Sequence, residues 1–336
     1  VYDTFLAAKL AYPDIASTDI VAVRRGLLPG NLCGKHSLKA WGHRLGLLKG
    51  TYAETTDWKT FNLDMLQYCT QDVRVDARLF KALQKCDIPT SVLALETKVA
   101  EIVGLQEEFG WPFDITAAEQ LYVRLVTERD AVKAQLVEKF GTREVRETFI
   151  PKRDNKARGY KAGVPFEKVR TEKINPASLV TIAALLTERG WQPDEFTDCG
   201  HPKVTEETLA KAAETIPEAT LFSQFLCLEK RIGQLADGTQ GWLRVVDRET
   251  SRIYGSVDTI GCVTGRMAHF SPNVAQTVSV KSKYGAEMRA LWTAPKGWVE
   301  VGIDACGLEL RMLGHYLGHY DGGDYAHTVC EGDVHT

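Results

Sequence analysis

Apolar residues recur at helical spacing through much of the first 240 positions. Between 62 and 83, and again between 92 and 109, they return every three or four residues, which predicts two long amphipathic helices. Pro89 marks a break between them, because proline disfavours helix at the residue before it. We therefore expect residues 1–90 to be a set of helices joined by short connections.

More helices are predicted further along. One begins at a capping box formed by Thr116 and Glu119 and ends at Phe140. Another is expected to start at Asn175 and Pro176, as N-cap and first helical residue, and to end at Gly190. A last helical pattern covers residues 217–235.

Residues 142–174 interrupt the helical pattern. The stretch 151–173 holds eight Lys or Arg residues against three acidic ones, with glycine and proline between them, which predicts a basic, irregular loop. Such a loop can simply be solvated, and contact with nucleic-acid phosphates is the sharper interpretation. The residues concerned are Lys152, Arg153, Lys156 and Arg158.

From Trp242 onwards the apolar period changes to two. Residues 242–246 and 252–257 flank a polar turn and predict a β-hairpin. The β-branched run 298–303 predicts a strand, and the apolar spacing from Leu308 predicts a helix after it. The predicted fold class is therefore mixed α/β and α+β, and it has three parts: residues 1–90, 91–241 and 242–336.

Composition narrows the class of protein only a little. The formal net charge is −3, so partner choice depends on how the basic residues cluster. The eight cysteines include no C-x-x-C pair, which favours reduced thiols and a cytosolic location. No apolar run approaches the length needed to span a membrane, and no phosphate-binding loop of the G-x-x-x-x-G-K-[ST] type is present.

Three residues near the C-terminus carry candidate chemistry. Asp304 follows the predicted strand 298–303, where a rigid element would present its carboxylate to a metal ion. An Asp that merely caps the next helix is the equally simple alternative. Glu309 can be a solvated charge, and His335 can be structural or can bind phosphate as an imidazolium.

Two further groups stand upstream. Gly265 permits close backbone approach beside Arg266, whose guanidinium offers a planar fork of donors. Asn273 and Gln276 both donate and accept, which suits the acceptors of a nucleic-acid minor groove. An ordinary polar loop is the alternative for this group.

Tyr68 and Asp72 form the second group. They are four residues apart on a predicted helix, so the phenol and the carboxylate can share a face around a water or a metal ion. A pair of ordinary surface neighbours is the alternative here.

Taken together and in this order, the motifs resemble those of a family-A DNA polymerase, the DNA polymerase I family. They look closest to the replicative polymerases of short-tailed phages, and the resemblance runs from about Asp3 to Thr336. The segments that carry it are 68–73, 230–234, 263–266, 272–276, 302–311, 325–327 and 332–336.

The resemblance implies a role for each polymerase residue. Asp304 would be the first palm carboxylate, bridging two catalytic Mg²⁺ ions, and the carbonyl of Ala305 would be a further metal ligand. Glu309 would be the steric gate that favours deoxyribonucleotides, and His335 would contact the triphosphate of the incoming dNTP. The residues that would contact primer–template DNA are Thr264, Arg266, Asn273, Gln276, Lys230 and Arg231, the last two through duplex phosphates.

The resemblance also divides the chain. Residues 1–90 would be the C-terminal part of a ribonuclease H-like 3′–5′ exonuclease domain. In it Asp72 would ligate a divalent metal and Tyr68 would orient the attacking water. Residues 91–241 would be a helical connector and thumb carrying the basic loop 142–174, and residues 242–336 the first half of the palm.

Neither active site is expected to be complete. The earlier exonuclease motifs would precede Val1, while the fingers helix and the second palm carboxylate would follow Thr336, so we expect a piece of a longer protein that is inactive alone. The best-known phage relative recruits host thioredoxin through a long thumb insertion. The short basic loop leaves no room for one, so a thioredoxin-type partner is doubtful. The expected partners are primer–template DNA and dNTPs, without a membrane, in the cytoplasm (the host's, if the protein is phage-encoded).

Two other functions fit parts of this pattern. A stand-alone 3′–5′ exonuclease would use Asp72 but leaves residues 302–311 and 264–266 unexplained. A catalytically incomplete DNA-binding module would use the thumb and the basic loop only.

Overall fold

Helices dominate the parts of the chain that the computed structural model describes, which are residues 2–50, 52, 58–154 and 159–332, without the side chains of 143–147 and 172. The helices are α1 (Thr4–Ala11), α2 (Ile15–Arg24), α3 (Leu38–Arg44), α4 (Leu63–Leu83), α5 (Thr90–Phe109), α6 (Ile115–Phe140), α7 (Leu179–Thr187), α8 (Glu206–Ala213), α9 (Ala219–Ile232), α10 (Trp242–Val245), α11 (Gly285–Ala290), α12 (Leu308–Asp321) and α13 (Asp324–Glu331). The strands are β1 (Trp111–Pro112), β2 (Thr142–Phe149), β3 (Phe166–Lys173), β4 (Arg252–Ile253), β5 (Ser256–Asp258) and β6 (Ala268–Phe270). They pair antiparallel as β1 with β4, β2 with β3 and β5 with β6.

The chain divides into two compact units, Val1–Trp292 and Thr293–Thr336. The mixture of helices and strands agrees with the predicted mixed fold class. None of the helices within the described ranges is both long enough and apolar enough to cross a membrane.

The first 90 residues fold as helices whose first turns are capped by polar side chains. Asp3 caps α1, Ser37 caps α3 and Asn62 caps α4, each by accepting from backbone N–H groups of the first turn. These helices bury one shared apolar cluster, formed by Ala7, Ala8, Ile15, Trp41, Leu79 and Leu83. The helices predicted for this region are confirmed in its described residues.

Helices α6 and α9 lie against each other and span two larger apolar clusters. Every three or four residues α9 buries an apolar side chain; these are Phe222, Phe225, Leu228 and Ile232. The first two pack in one cluster with Leu136 of α6, and the last two pack in the other with Leu125 of α6. Burying such a side chain stabilises a fold by about 1.5–3 kcal/mol. The helix predicted over 217–235 is confirmed as α9, which ends at Ile232 and is followed by a π turn over Gly233–Asp237.

The predicted start of α6 is wrong by a few residues. Its first residue is Ile115, and the carboxylate of Asp114 accepts from the N–H of Ala117 at 2.9 Å. This cap lies ahead of the predicted capping box at Thr116 and Glu119, so the helix has already begun when the chain reaches those residues. The predicted end at Phe140 is confirmed.

The start of α7, by contrast, is later than predicted. Ser178 is its N-cap and accepts from the N–H of Thr181 at 3.3 Å. Asn175 instead accepts from the N–H of Ala177 at 3.1 Å, which closes a local turn at Asn175–Pro176 rather than a helix.

Residues 142–174 are not the irregular loop that their charge pattern predicts. Strands β2 and β3 form an antiparallel hairpin whose register runs from Thr142 opposite Lys173 to Phe149 opposite Phe166. The rings of Phe149, Tyr160 and Phe166 pack together near its end, with centroids 5.2–5.9 Å apart. This aromatic cluster and the hydrogen bonds of the backbone ladder stabilise the hairpin, and neither can be recognised from the number of charged residues.

Two of the four basic residues singled out in this segment can be placed. Lys152 and Arg153 are exposed on the connection between the two strands. Lys156 and Arg158 lie outside the described residues.

Residues 242–257 do not form the predicted hairpin. The first of them form the short helix α10, and β4 pairs with β1; a single antiparallel bridge, Asp247 opposite Arg252, joins β4 to the segment before it. Trp242 is 1% exposed, and its ring packs edge-on against those of Phe113 and Trp292. A five-residue apolar run fits both a strand and one helical turn, and burial of the Trp242 ring decides between them.

In the unit of residues 293–336, α12 and α13 pack closely. A Cβ on Gly314 of α12 would lie 2.9 Å from the Cα of Ala326 of α13, so this contact requires glycine. The helix predicted from Leu308 is confirmed as α12, but the strand predicted over 298–303 is wrong, and Ile303 is 95% exposed there. A strand needs hydrogen bonds to a neighbouring strand, and no strand in the described ranges pairs with this run.

The packing around α3 generates a prediction about acid stability. Burial, together with the cations of Arg44 and Lys9, lowers the pKa of His36 to about 4. The unfolded chain therefore binds a proton at this residue near pH 6.5, whereas the folded chain does so only near pH 4. We expect the free energy of unfolding to fall as the pH drops through this window, with a His36 contribution of about 1–2 kcal/mol after allowance for partial exposure.

Urea unfolding of the chain at several pH values checks this. His36→Gln should flatten the pH dependence between pH 6.5 and 4, whereas His201→Gln, at an exposed histidine, should leave it unchanged. Identical slopes for wild type and His36→Gln would contradict the assignment.

Candidate functional site

A groove of about 1100 Å³ lies in the unit of residues 1–292, between the end of α9 and residues 269–278. Four of the six residues predicted to contact DNA line it, and they come from two separate stretches of sequence. They are Lys230, Arg231, Asn273 and Gln276. Glu206 is the acidic residue on the same wall, so the two cations leave the lining net positive.

The end of α9 presents Lys230 to the groove because the apolar face of the helix is buried on the other side, and Arg231 lines the groove from the edge of that buried face. Lys230 is exposed, whereas Arg231 is 9% exposed and its Nε lies 3.5 Å from the carbonyl of Lys283. The π turn then widens the helix, and the chain folds back at Gly241. A Cβ there would come within 2.6 Å of the Ala236 carbonyl, so this tight return requires glycine.

The opposite wall is tied to the π turn by a hydrogen bond. Gln234 Nε2 donates to the carbonyl of Gln276 at 3.0 Å. Behind it, Asn273 Oδ1 and His269 Nδ1 are buried and have no hydrogen-bond partner in the protein. A buried polar atom without a partner costs about 1–3 kcal/mol, so these two atoms mark a place that suits a water or a bound polar group. No motif in the sequence singles out His269.

Thr264 and Arg266 lie at the tip of the β5–β6 hairpin rather than on the groove wall. Gly265 between them has φ +78°, a conformation that glycine adopts readily. The carbonyl of Arg266 accepts from the N–H of Gly261 at 3.0 Å, which closes the tip. Strand β6 runs from this tip to His269, so one short strand links the tip to the groove.

Asp304, Ala305 and Glu309 all belong to the unit of residues 293–336, and all three are exposed. Asp304 and Ala305 lie in the segment before α12, and Glu309 lies in its first turn. Gly307, with φ +58°, makes the turn into the helix. His335 lies outside the described residues.

Tyr68 and Asp72 share one face of α4, as their spacing predicts, but a lysine reaches them. Lys49 Nζ lies 2.8 Å from Asp72 Oδ2 and 4.8 Å from the centroid of the Tyr68 ring. Burial alone would lower the pKa of Lys49, but hydrogen bonds to Asp72 and Tyr68 raise it above its ordinary value. Asp72 Oδ1 is buried without a hydrogen-bond partner in the protein. Sequence reasoning missed Lys49, which lies outside any motif.

The carboxylates of Asp72 and Asp304 are the type of ligand that a hard cation such as Mg²⁺ prefers, but each stands, among the residues that the structure describes, with too few other ligands to hold one. Asp72 has one oxygen without a partner, and Asp304 is open to solvent beside the carbonyl of Ala305. Within the described residues, however, no group of three His, Cys, Asp or Glu side chains is assembled to hold a metal ion. Each place therefore offers part of a site.

Comparison with known proteins finds similarity to one family of polymerases. Residues 160–321 match the family model described as DNA polymerase family A. The chain is 35% identical to the DNA-directed DNA polymerase of Enterobacteria phage T3 and 34% identical to that of Escherichia phage T7, over 99% of this chain and 59% of each relative. It therefore spans about three-fifths of the length of these curated relatives. Both alignments extend over 419 positions, more than the 336 residues of this chain, so the relatives contain segments that have no counterpart here.

A solved structure shows the same fold. The POL domain of Pol1 from M. smegmatis, in complex with DNA primer-template and dNTP, superposes with a TM-score of 0.61 over 93% of this chain and 45% of that chain, at 18% identity. The resemblance to family-A polymerases, and to phage ones in particular, is confirmed. The division into exonuclease, thumb and palm parts and the individual site residues stay predictions.

The contact of Lys49 with Asp72 generates a prediction about stability. Lys49→Met leaves the Asp72 carboxylate partly buried without its cation, so we expect a loss of about 1–2 kcal/mol in the free energy of unfolding. In the double variant Lys49→Met/Asp72→Asn the unpaired charge is gone, and part of the loss should be recovered.

Urea unfolding at pH 7 of wild type, Lys49→Met, Asp72→Asn and the double variant measures the coupling energy between the two side chains. Lys98→Met is the matched control, because Lys98 is exposed in its ion pair with Glu101, and its effect should stay below about 0.5 kcal/mol. Additive effects of Lys49→Met and Asp72→Asn would argue against the interaction.

Proposed function

We propose that the chain belongs to DNA polymerase family A, that the complete protein is a DNA-directed DNA polymerase and that this chain supplies its primer–template groove. The reaction would be template-directed transfer of dNMP from a dNTP to a primer 3′-OH, with release of pyrophosphate. The activity by which the phage T3 and T7 relatives are known supports this, as does the primer-template and dNTP bound by the structural neighbour.

The observation that carries the proposal is the groove. Lys230 and Arg231 on one wall suit phosphate oxygens. Asn273 and Gln276 on the other wall can donate to the minor-groove acceptors that every base pair presents. Thr264 and Arg266 would extend this surface from the hairpin tip. Such contacts check the shape of a base pair without reading its sequence, as template-directed synthesis requires.

The residues of the second unit would handle the nucleotide. Asp304 and the carbonyl of Ala305 would hold Mg²⁺, expected as two ions in the complete site. Bound Mg²⁺ supplies charge neutralisation for the triphosphate and a lower pKa for the attacking hydroxyl. Glu309 would crowd the sugar 2′ position, and His335 would contact the triphosphate.

The remaining assignments are part of the same proposal. Asp72 and Tyr68 would belong to a 3′–5′ proofreading site, in which Asp72 would ligate a divalent metal. Residues 1–90, 91–241 and 242–336 would be the end of the exonuclease domain, the connector and thumb, and the first half of the palm. The cytoplasmic location and the doubt about a thioredoxin-type partner stay predictions.

Substitution of Asp304 in the complete protein tests the polymerase. Asp304→Ala should lower primer extension by several orders of magnitude, because the metal-holding carboxylate is gone, while primer–template affinity changes less than about threefold. Glu300→Ala is the matched control, since Glu300 is exposed in the same segment and has no assigned role. Measurements are Mg²⁺-dependent extension of a labelled primer and fluorescence anisotropy.

Two outcomes would contradict this. Undiminished synthesis by Asp304→Ala would refute the role of the carboxylate, and absence of synthesis in the complete wild-type protein would leave a DNA-binding module or an exonuclease. Primer extension by the 336-residue chain alone would overturn the expectation that it is catalytically incomplete.

The salt dependence of DNA binding tests the phosphate contacts. Lys230→Met in this chain should weaken primer–template binding and reduce the slope of log K against log salt by about 1, because one phosphate contact is lost. Lys152→Gln/Arg153→Gln tests in the same way whether the tip of the β2–β3 hairpin contacts the duplex. Lys98→Met should change neither affinity nor slope. A slope that stays at the wild-type value in a variant would remove that residue from the interface.

A further inference from the structure

The hairpin that carries Thr264 and Arg266 is too short to hold itself in place. Its ladder consists of three residue pairs, from Ser256 opposite Phe270 to Asp258 opposite Ala268. An isolated two-stranded hairpin is marginally stable at best in water. Contacts from elsewhere in the unit of residues 1–292 must therefore fix its position.

One such contact comes from the first helix of the chain. Lys9 of α1 is 8% exposed, and its Nζ donates to the carboxylate of Asp258 and, at 3.3 Å, to the carbonyl of Ile260. The same carboxylate accepts from the N–H of Ile260 at 3.2 Å. The buried lysine thus holds both the end of β5 and the chain that leaves it towards the tip.

A second contact comes from α5. Glu107 Oε1 accepts from the N–H of Val257, the middle residue of β5, at 2.6 Å. Lys9 and Glu107, which belong to two different helices, therefore hydrogen-bond to adjacent residues of one strand. We refer to these two side chains, with Asp258, as the hairpin clamp.

The clamp lies beside an opening in the fold. A cavity of about 440 Å³ opens beside the ion pair, and its lining includes Lys9, Asp258, His36 and Gly261. Side chains that face this cavity have no packing partner on that side. A partly buried ion pair adds little net stability, but its directional bonds select one geometry, and a lysine as buried as Lys9 is tolerated only when it is paired.

We infer that Lys9 and Asp258 are positioning residues for DNA binding: through the hairpin clamp, helix α1 holds the tip that bears Thr264 and Arg266 in the orientation needed for the primer–template. This rests on the proposed function. Lys9 itself touches no DNA in this scheme, so its loss should weaken binding without removing a phosphate contact.

Hydrogen exchange gives a test that needs no DNA. In Lys9→Met, the amides of residues 256–270 should exchange about tenfold faster than in wild type, within the range of coupling energies between close charged groups. Amides of α9 should be unchanged. Lys98→Met, which removes an exposed lysine of α5, is the matched control and should leave the hairpin as protected as in wild type.

Primer–template binding gives the second test. Lys9→Met should weaken affinity about three- to tenfold while the slope of log K against log salt stays at the wild-type value, because no counterion-releasing contact is lost. Lys230→Met, by contrast, should lower the slope. Lys9→Met/Asp258→Leu guards against misfolding, because removing both charges avoids leaving the half-buried Asp258 carboxylate unpaired, and it should reproduce the faster exchange and the weaker binding.

The outcomes separate this inference from the proposed function. If the amides of residues 256–270 exchanged at the wild-type rate in both Lys9 variants, the clamp would be overturned. If they exchanged faster but the affinity for primer–template stayed unchanged, the role of the clamp in DNA binding would be overturned. A reduced salt slope in Lys9→Met would mean direct contact with DNA and would overturn the positioning role. If wild type bound no primer–template, the proposed function would fall and the role in DNA binding with it, whereas exchange would still decide whether α1 holds the hairpin.

Discussion

The packing of α6 against α9 is the constraint on which the groove depends. The two helices share both large apolar clusters, so neither can rotate without exposing side chains that are now buried. With Leu228 and Ile232 facing the core, Lys230 between them must lie on the exposed side of the helix end, whereas Arg231 shares the buried face with Leu228 and lies beside the carbonyl of Lys283. The position of Lys230 thus follows from apolar burial rather than from any attraction between charges.

The predictability of each element follows from how far apart its partners lie in the sequence. The helices with a clear 3.6-residue period, such as α4 and α9, were predicted because that period depends on neighbours three and four residues away. The β2–β3 hairpin was missed because its register joins residues up to 31 positions apart, from Thr142 to Lys173. Charge content in such a segment describes its solvation but not its pairing.

The strand errors have a related cause. The runs at 242–246 and 298–303 both have the residue types of strands, yet neither forms one. Trp242 is drawn into a ring cluster with Phe113 and Trp292, which lie far from it in sequence, and the run 298–303 has no paired strand among the described residues. Strand propensity reports how well a residue suits a pleated surface, while the surface itself must come from elsewhere in the fold.

The residues of the candidate site also differ in whether local sequence or contacts with distant residues reveal them. The motifs identified Lys230, Arg231, Asn273 and Gln276, and the fold brings these four to one groove. No motif identified Lys9 or Lys49, because both act through long-range contacts: Lys9 with Asp258 and the carbonyl of Ile260, and Lys49 with Asp72 and the ring of Tyr68. Residues of this second kind contact the segments that carry the motifs rather than a ligand. Since one polar bond leaves no periodic trace in the sequence, the side chains that orient a site are harder to predict from sequence than the side chains that form it.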